Sequence, residues 1–150
     1  MTTRTNDSSA PEAASCPAAD SLYAQIVQQA GEAIIFADPE GFIRVWNEGA
    51  QNLFGFPASQ ALGASLDLII PERFRAAHWR GFHQAIERGR PLHGGQVRTT
   101  RAVHGDGRKL YVEMSFGIVT GPDGKVLGSL AVARDGTERR SAEEARSSPT

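Results

Sequence analysis

His78 stands four residues after Phe74 and four before Phe82, in a stretch whose periodicity predicts one amphipathic helix. Twenty residues further on, Arg98 lies near the start of an alternating, strand-like run. An imidazole among aromatic rings on a buried helix face is either a satisfied core residue or a ligand to something held in the core. A guanidinium facing the same interior raises the second reading. It is always charged, so burying it is costly unless it meets an anion or a strongly polarised group. If Arg98 lies instead on the solvent face of its strand, that argument lapses. His83 is offset from the buried helix face and reads as exposed, and His93 and His104 sit in or beside glycine-rich turns. None of these three forms a metal cluster with another.

Other chemistry is sparse. The glycines, Gly94 and Gly95 included, read as turn glycines rather than a phosphate-binding loop, and no nucleophile, histidine and acid make a triad signature. No enzyme is expected. Sixteen basic residues against seventeen acidic ones leave a net charge of -1, which points away from nucleic acid or an anionic membrane as partner. The longest apolar runs are too short to span a bilayer, and the amino-terminal residues lack the apolar segment of a signal peptide. A single cysteine, Cys16, excludes a disulfide scaffold and a structural zinc site, so a cytoplasmic location is the default.

The elements that must position His78 and Arg98 follow from pattern. Residues 1–19 are polar and aperiodic and read as a disordered leader; residues 20–140 form one domain; residues 141–150 read as a disordered tail or the start of a linker. Asp20 or Ser21 caps a helix running to Ala30 with Leu22, Ile26 and Tyr23 on its apolar face, a candidate dimer contact. Residues 33–37 and 42–46 make a hairpin about an Asp-Pro-Glu-Gly turn. Asn47 opens a helix, short helical turns follow to Ile70, and residues 72–88 form the long helix, stopped at Gly89. Its buried face is Phe74, Ala77, His78, Phe82, Ala85 and Ile86. Strands at 96–103, 109–119 and 126–134 close the domain through Asp-Gly turns, with Leu110, Val112, Met114, Phe116 and Ile118 on one face of the second. Two strands, a run of helices and three strands predict an α+β domain: a five-stranded antiparallel sheet with helices packed on one face.

In that order and spacing, residues 31–41 (GEAIIFADPEG), Trp46-Asn47-Glu48-Gly49-Ala50, Phe54-Gly55-Phe56, the paired Asp-Gly turns and Arg134-Asp135-Gly136-Thr137-Glu138-Arg139-Arg140 resemble a PAS domain. The resemblance covers roughly residues 21–140 and implies a curved sheet cupping a pocket, used for small-molecule sensing or protein pairing. Residues 70–82 (IPERFRAAHWRGF) are similar to the haem-bearing helix of rhizobial oxygen-sensor kinases and direct-oxygen-sensor phosphodiesterases. The resemblance implies haem b held by His78 as axial iron ligand and a diatomic gas as the sensed molecule: oxygen, with carbon monoxide or nitric oxide as alternatives. Arg98 falls on the distal arginine, and Met114 and Phe116 fall on the distal wall, joined in our reading by Leu130 and Val132. Gln96 lies near the place of a methionine that caps the iron in the phosphodiesterases, a departure that argues against the same switch.

A haem sensor needs one neutral imidazole, an open sixth position and a mostly apolar pocket. The second ring nitrogen of His78 should then bond a backbone carbonyl or water. The competing expectations are a cofactor-free PAS interaction or dimerisation module with His78 as a core residue, and a PAS pocket for a metabolite or flavin. Met114 on an apolar strand face reads more simply as core than as ligand. A cysteine-linked flavin is disfavoured, since the one cysteine lies in the leader. No output domain is recognisable, so the signal is expected to pass to a partner or to a larger protein of which this is part.

Overall fold

The structure, a computed structural model, describes residues 19–91 and 96–147. Cys16, His93 and the expected disordered leader up to residue 18 lie outside the described residues. The chain runs α1 (Ala19–Gln29), β1 (Ala33–Ala37), β2 (Ile43–Trp46), α2 (Glu48–Phe54), α3 (Ala58–Ala61), two 3-10 turns (Leu66–Ile69 and Glu72–Phe74), α4 (Arg75–Arg88), β3 (Arg98–Val103), β4 (Lys109–Thr120), β5 (Val126–Asp135) and α5 (Thr137–Ser147). No described helix is long and apolar enough to cross a membrane.

The five strands form one antiparallel sheet in the order β2-β1-β5-β4-β3, so the first and last strands pair at its centre. The β1–β2 turn is built by Asp38. Its Oδ1 accepts from the backbone N–H of Glu40 and Phe42, both at 3.0 Å, and its Oδ2 accepts from Arg44 Nε at 2.9 Å. These bonds hold the Asp38 carboxyl below its ordinary range. Within the sheet, Ile35 lies opposite both Trp46 and Ala131, which sets the inward face. Phe54, Ile35, Ile43, Leu110 and Val112 are fully buried there, and the indole N–H of Trp46 donates to the Phe56 carbonyl at 2.8 Å.

Asn47 ties three elements, α1, β1 and α2, together at one buried amide. Its Oδ1 accepts from Ala50 N at 2.9 Å, capping α2, and from Ile34 N at 2.8 Å on β1. Its Nδ2 donates to the carbonyls of Val27 at 2.8 Å and Glu32 at 3.0 Å, fastening the end of α1 and the approach to β1. Gly49 beside it leaves no room for a side chain, because a Cβ there would stand 2.2 Å from the Glu32 carbonyl oxygen.

One expectation needs correction. The helix expected over residues 72–88 starts with a 3-10 turn, and Phe74, at φ -101° and ψ -3°, sits at the junction with α4 and is 40% exposed rather than buried. Leu22, Tyr23 and Ile26 lie on α1, and all three are exposed. The last turn of that helix is fastened through the Val27 carbonyl, which accepts from Asn47 Nδ2. From residue 141, expected as a disordered tail or the start of a linker, the chain is helical through Ser147, continuing α5 with an Arg140–Glu144 ion pair one turn apart.

Replacing Asn47 with Ala removes the α2 cap and leaves buried backbone groups unpaired, so the domain should lose about 3 kcal/mol of stability. Urea melts of the two proteins measure this, and equal midpoints would show that water replaces the amide without loss.

Candidate functional site

A cavity of about 490 Å3 lies between α4 and the inward face of the sheet. Helix α4 faces it with Ala77, His78, Gly81, Phe82 and Ala85. The spacing of Ala77, Gly81 and Ala85 places small residues along one stripe of the helix, which leaves open space where larger side chains would meet the strands. Leu66, Ile69 and Ile70 from the first 3-10 turn close one end. The sheet contributes Ile35, Val112, Met114, Ile118, Ser129 and Ala131. The volume falls within the range of small-molecule sites, and the lining is mostly apolar with a few polar groups.

His78 enters this cavity from α4. Its ring lies edge-on to Trp79, with centroids 4.7 Å apart, and tilted against Phe82 at 5.9 Å. Its Nδ1 is buried and has no hydrogen-bond partner. Of the two partners expected for the second ring nitrogen, a backbone carbonyl or water, Nδ1 meets no carbonyl. Burial pushes the imidazole pKa down from 6.5 to about 4; the Asp67 carboxylate opposes that shift and His83 adds to it. At neutral pH the ring is uncharged, the form that ligates a metal or exchanges hydrogen bonds with a neutral molecule.

Arg98 begins the edge strand β3 directly opposite Met114, and both line the cavity. Arg98 is exposed, as are Gln96, Thr100 and Phe116, so these residues mark the side on which the cavity meets solvent. The structure thus brings His78, Arg98, Gln96, Met114 and Phe116 to one space.

Leu130 and Val132, expected as pocket wall, do not line it. On β5 they pair with Phe36 and Ile34, while Ser129 and Ala131 face the cavity. The expectation was out of phase by one residue, which in a strand exchanges the two faces. The sequence hides this phase because residues on both faces of β5 are small or apolar. Thr100 was also missed, although counting by two from Arg98 reaches it. His83 stacks on Trp79, and His104 packs beside the α2–β3 side of the core with its Nδ1 3.0 Å from Asp106 Oδ1, so neither joins His78 in the cavity. Among the described residues no three His, Cys, Asp or Glu side chains cluster as a metal site.

The buried imidazole makes stability depend on pH. Between about pH 4 and 6.5 the unfolded chain binds a proton at His78 that the folded chain does not, so stability falls as pH drops through that window. Relative to His78→Gln, the protein should lose up to about 3 kcal/mol across it. Parallel stability curves for the two proteins, from denaturant melts at successive pH values, would contradict a neutral buried His78.

The PAS fold family model matches residues 21–136. Over 118 residues the chain is 25% identical to the oxygen sensor protein DosP of Escherichia coli (strain K12), an alignment that covers 79% of this chain and 14% of DosP. Among solved structures, a PAS domain from Colwellia psychrerythraea superposes with a TM-score of 0.68 at 25% identity, covering 79% of this chain and 98% of that one. An RNA-binding light-oxygen-voltage receptor also superposes with a TM-score of 0.68, at 20% identity, covering 96% of this chain and 39% of the receptor. The five-stranded antiparallel sheet, its helical cover and the family match agree: this chain belongs to the PAS family of sensory, non-catalytic modules.

Proposed function

We propose that this PAS unit senses one small molecule held between α4 and the sheet. The observation that carries the reading is the cavity itself, walled by apolar side chains from both layers and entered by an uncharged imidazole with an unpartnered nitrogen. A buried polar atom without a partner is uncommon in a settled core, and a ligand able to meet it would relieve the deficit.

Within that reading, haem b is the occupant that the residue types suit. His78 would hold the iron, while Met114, Ile118 and Ala131 would supply apolar wall. Bound haem would contribute an iron centre able to take a diatomic gas. Arg98 keeps a permanent positive charge at the open side, placed to meet a propionate or a polarised ligand. The similarity to DosP, an oxygen sensor by name, supports oxygen as the sensed molecule. One observation favours a second, iron-free occupant such as a metabolite or a flavin. A haem-ligating imidazole ordinarily donates its other nitrogen's proton to a carbonyl, carboxylate or water. Nδ1 of His78 meets no carbonyl or carboxylate of the protein, so a hydrogen-bonding organic ligand is also suited.

Visible absorption spectra of the purified protein separate the two occupants when recorded oxidised, reduced and under carbon monoxide, beside His78→Ala. The haem reading predicts a Soret band that shifts on reduction and gas binding and is lost or disordered in the variant. A colourless protein that takes up no added haemin would overturn it and leave the iron-free ligand.

A further inference from the structure

Helix α4 is held to the rest of the domain by few groups. Phe82 is its one buried residue, and its cavity face is mostly alanine and glycine, which offer little to grip. A helix seated so lightly can turn about its own axis, and any turn would change where His78 points. What opposes rotation is found one residue after the histidine.

The indole Nε1 of Trp79 donates to Asp67 Oδ1 at 2.8 Å, reaching from α4 to the first 3-10 turn. The far edge of the same ring lies against the β1–β2 turn at Gly41, whose φ is +92°. A Cβ there would stand 2.2 Å from Trp79 Cη2, so the indole occupies the room that this glycine leaves. Trp79 also meets Phe82 edge-on at 5.1 Å and stacks on His83 at 5.8 Å. Asp67 is itself fastened. Its carbonyl accepts from Arg75 Nη2 at 3.2 Å, Arg75 Nε donates to the Ile70 carbonyl at 3.1 Å, and that Nε stands 3.8 Å from the Asp67 carboxylate. The start of α4, the 3-10 turn and the hairpin turn therefore converge on one indole, next in sequence to His78 and in ring contact with it.

We propose that Asp67 and Trp79 are positioning residues of the cavity: the carboxylate–indole bond sets the rotation of α4 and so the direction in which His78 enters the ligand space. The proposal rests on the reading of that space as a ligand site, but the orientation of His78 can be tested without any ligand. Both residues act through His78 and need not touch the occupant. The bond calls for an acceptor oxygen at position 67 rather than a charge, so Asp67→Asn should preserve the setting and Asp67→Ala should release it. Trp79→Phe keeps a ring on Gly41 but loses the donor, and it removes the bond from the other side.

The experiment is carbethoxylation of the whole chain by diethyl pyrocarbonate, with the rate at His78 read by peptide mass spectrometry in wild type and the three variants. Far-UV circular dichroism establishes that each is folded. His78 should react about tenfold faster in Asp67→Ala and Trp79→Phe, the scale of one lost hydrogen bond to a charged acceptor, and stay within about twofold of wild type in Asp67→Asn. A purely structural role for the pair would lower the melting temperature of the variants while leaving His78 protected in the folded chain. Unchanged protection in both Asp67→Ala and Trp79→Phe would overturn the proposal, as would equal deprotection in Asp67→Asn. Haemin titration of the same proteins gives the second reading: where wild type binds, affinity should follow the same order. If wild type takes up no haemin, the haem occupant fails and the carbethoxylation rates alone decide the role of Asp67 and Trp79.

Discussion

The buried amide of Asn47 is the joint on which the architecture depends. A sheet with its first and last strands paired at the centre can close only after almost the whole domain has been made. Asn47 fixes the geometry of the early half at a cost in desolvation that four short hydrogen bonds offset. It caps α2, aligns β1 and receives the end of α1. With β1 so placed, β5 has a template, and β4 and β3 add outward from it.

The cavity follows from how the second half is laid on that frame. Helix α4 lies over the sheet with Ala77, Gly81 and Ala85 lining the cavity opposite Ala131 and Ser129, so small residues face small residues across the gap. A close-packed core would fill such a space with branched side chains, at densities near those of organic crystals. Here Trp46 and Phe54 pack against each other outside the cavity, and Phe74 and Phe116 line it while partly exposed. The alternation of β4 then joins this space to the exit of the domain. Val112 and Met114 face the cavity, while Tyr111, on the other face, has its carbonyl bonded by Gly136 N at 2.8 Å and its ring 5.4 Å from the Arg140 guanidinium of α5. Glu113, on the same outer face, accepts from Arg134 Nε at 2.7 Å. One strand is thus both cavity wall and seat of the last helix.

Much of this was legible in the residues because local chemistry and global fold agree. The Asp38–Gly41 turn, the Asn47 cap and the Gly89 stop are each set by one side chain or one left-handed glycine, with Gly89 at φ +77° bonding Ala85 as expected. His78 could be placed on the inward face of its helix because a helix face is periodic, whereas the weak alternation of β3 left the face of Arg98 open, and the structure sets that residue, exposed, at the edge of the cavity. Leu130 and Val132 could not be placed, since β5 is apolar on both faces and its phase is decided by pairing with Ile35, far away in sequence. The Asp67–Trp79 bond was equally invisible: it joins two elements whose relative placement no local pattern encodes. Phe74 misled for a related reason, being an aromatic residue at correct helical spacing but standing in the 3-10 turn, one residue before the helix begins.

Native mass spectrometry of the protein as expressed, beside Ala131→Phe, tests the central claim that this space exists to hold a ligand. Ala131 faces the cavity between Ile35 and Phe116, and a phenyl ring there would occupy the ligand's place. The account predicts a wild-type chain that carries, or takes up on supply of haemin, one non-covalently held small molecule, and a folded variant that carries none. A wild-type chain found only at its bare mass with and without haemin, together with a higher melting temperature for Ala131→Phe, would make the cavity a packing void and contradict the account.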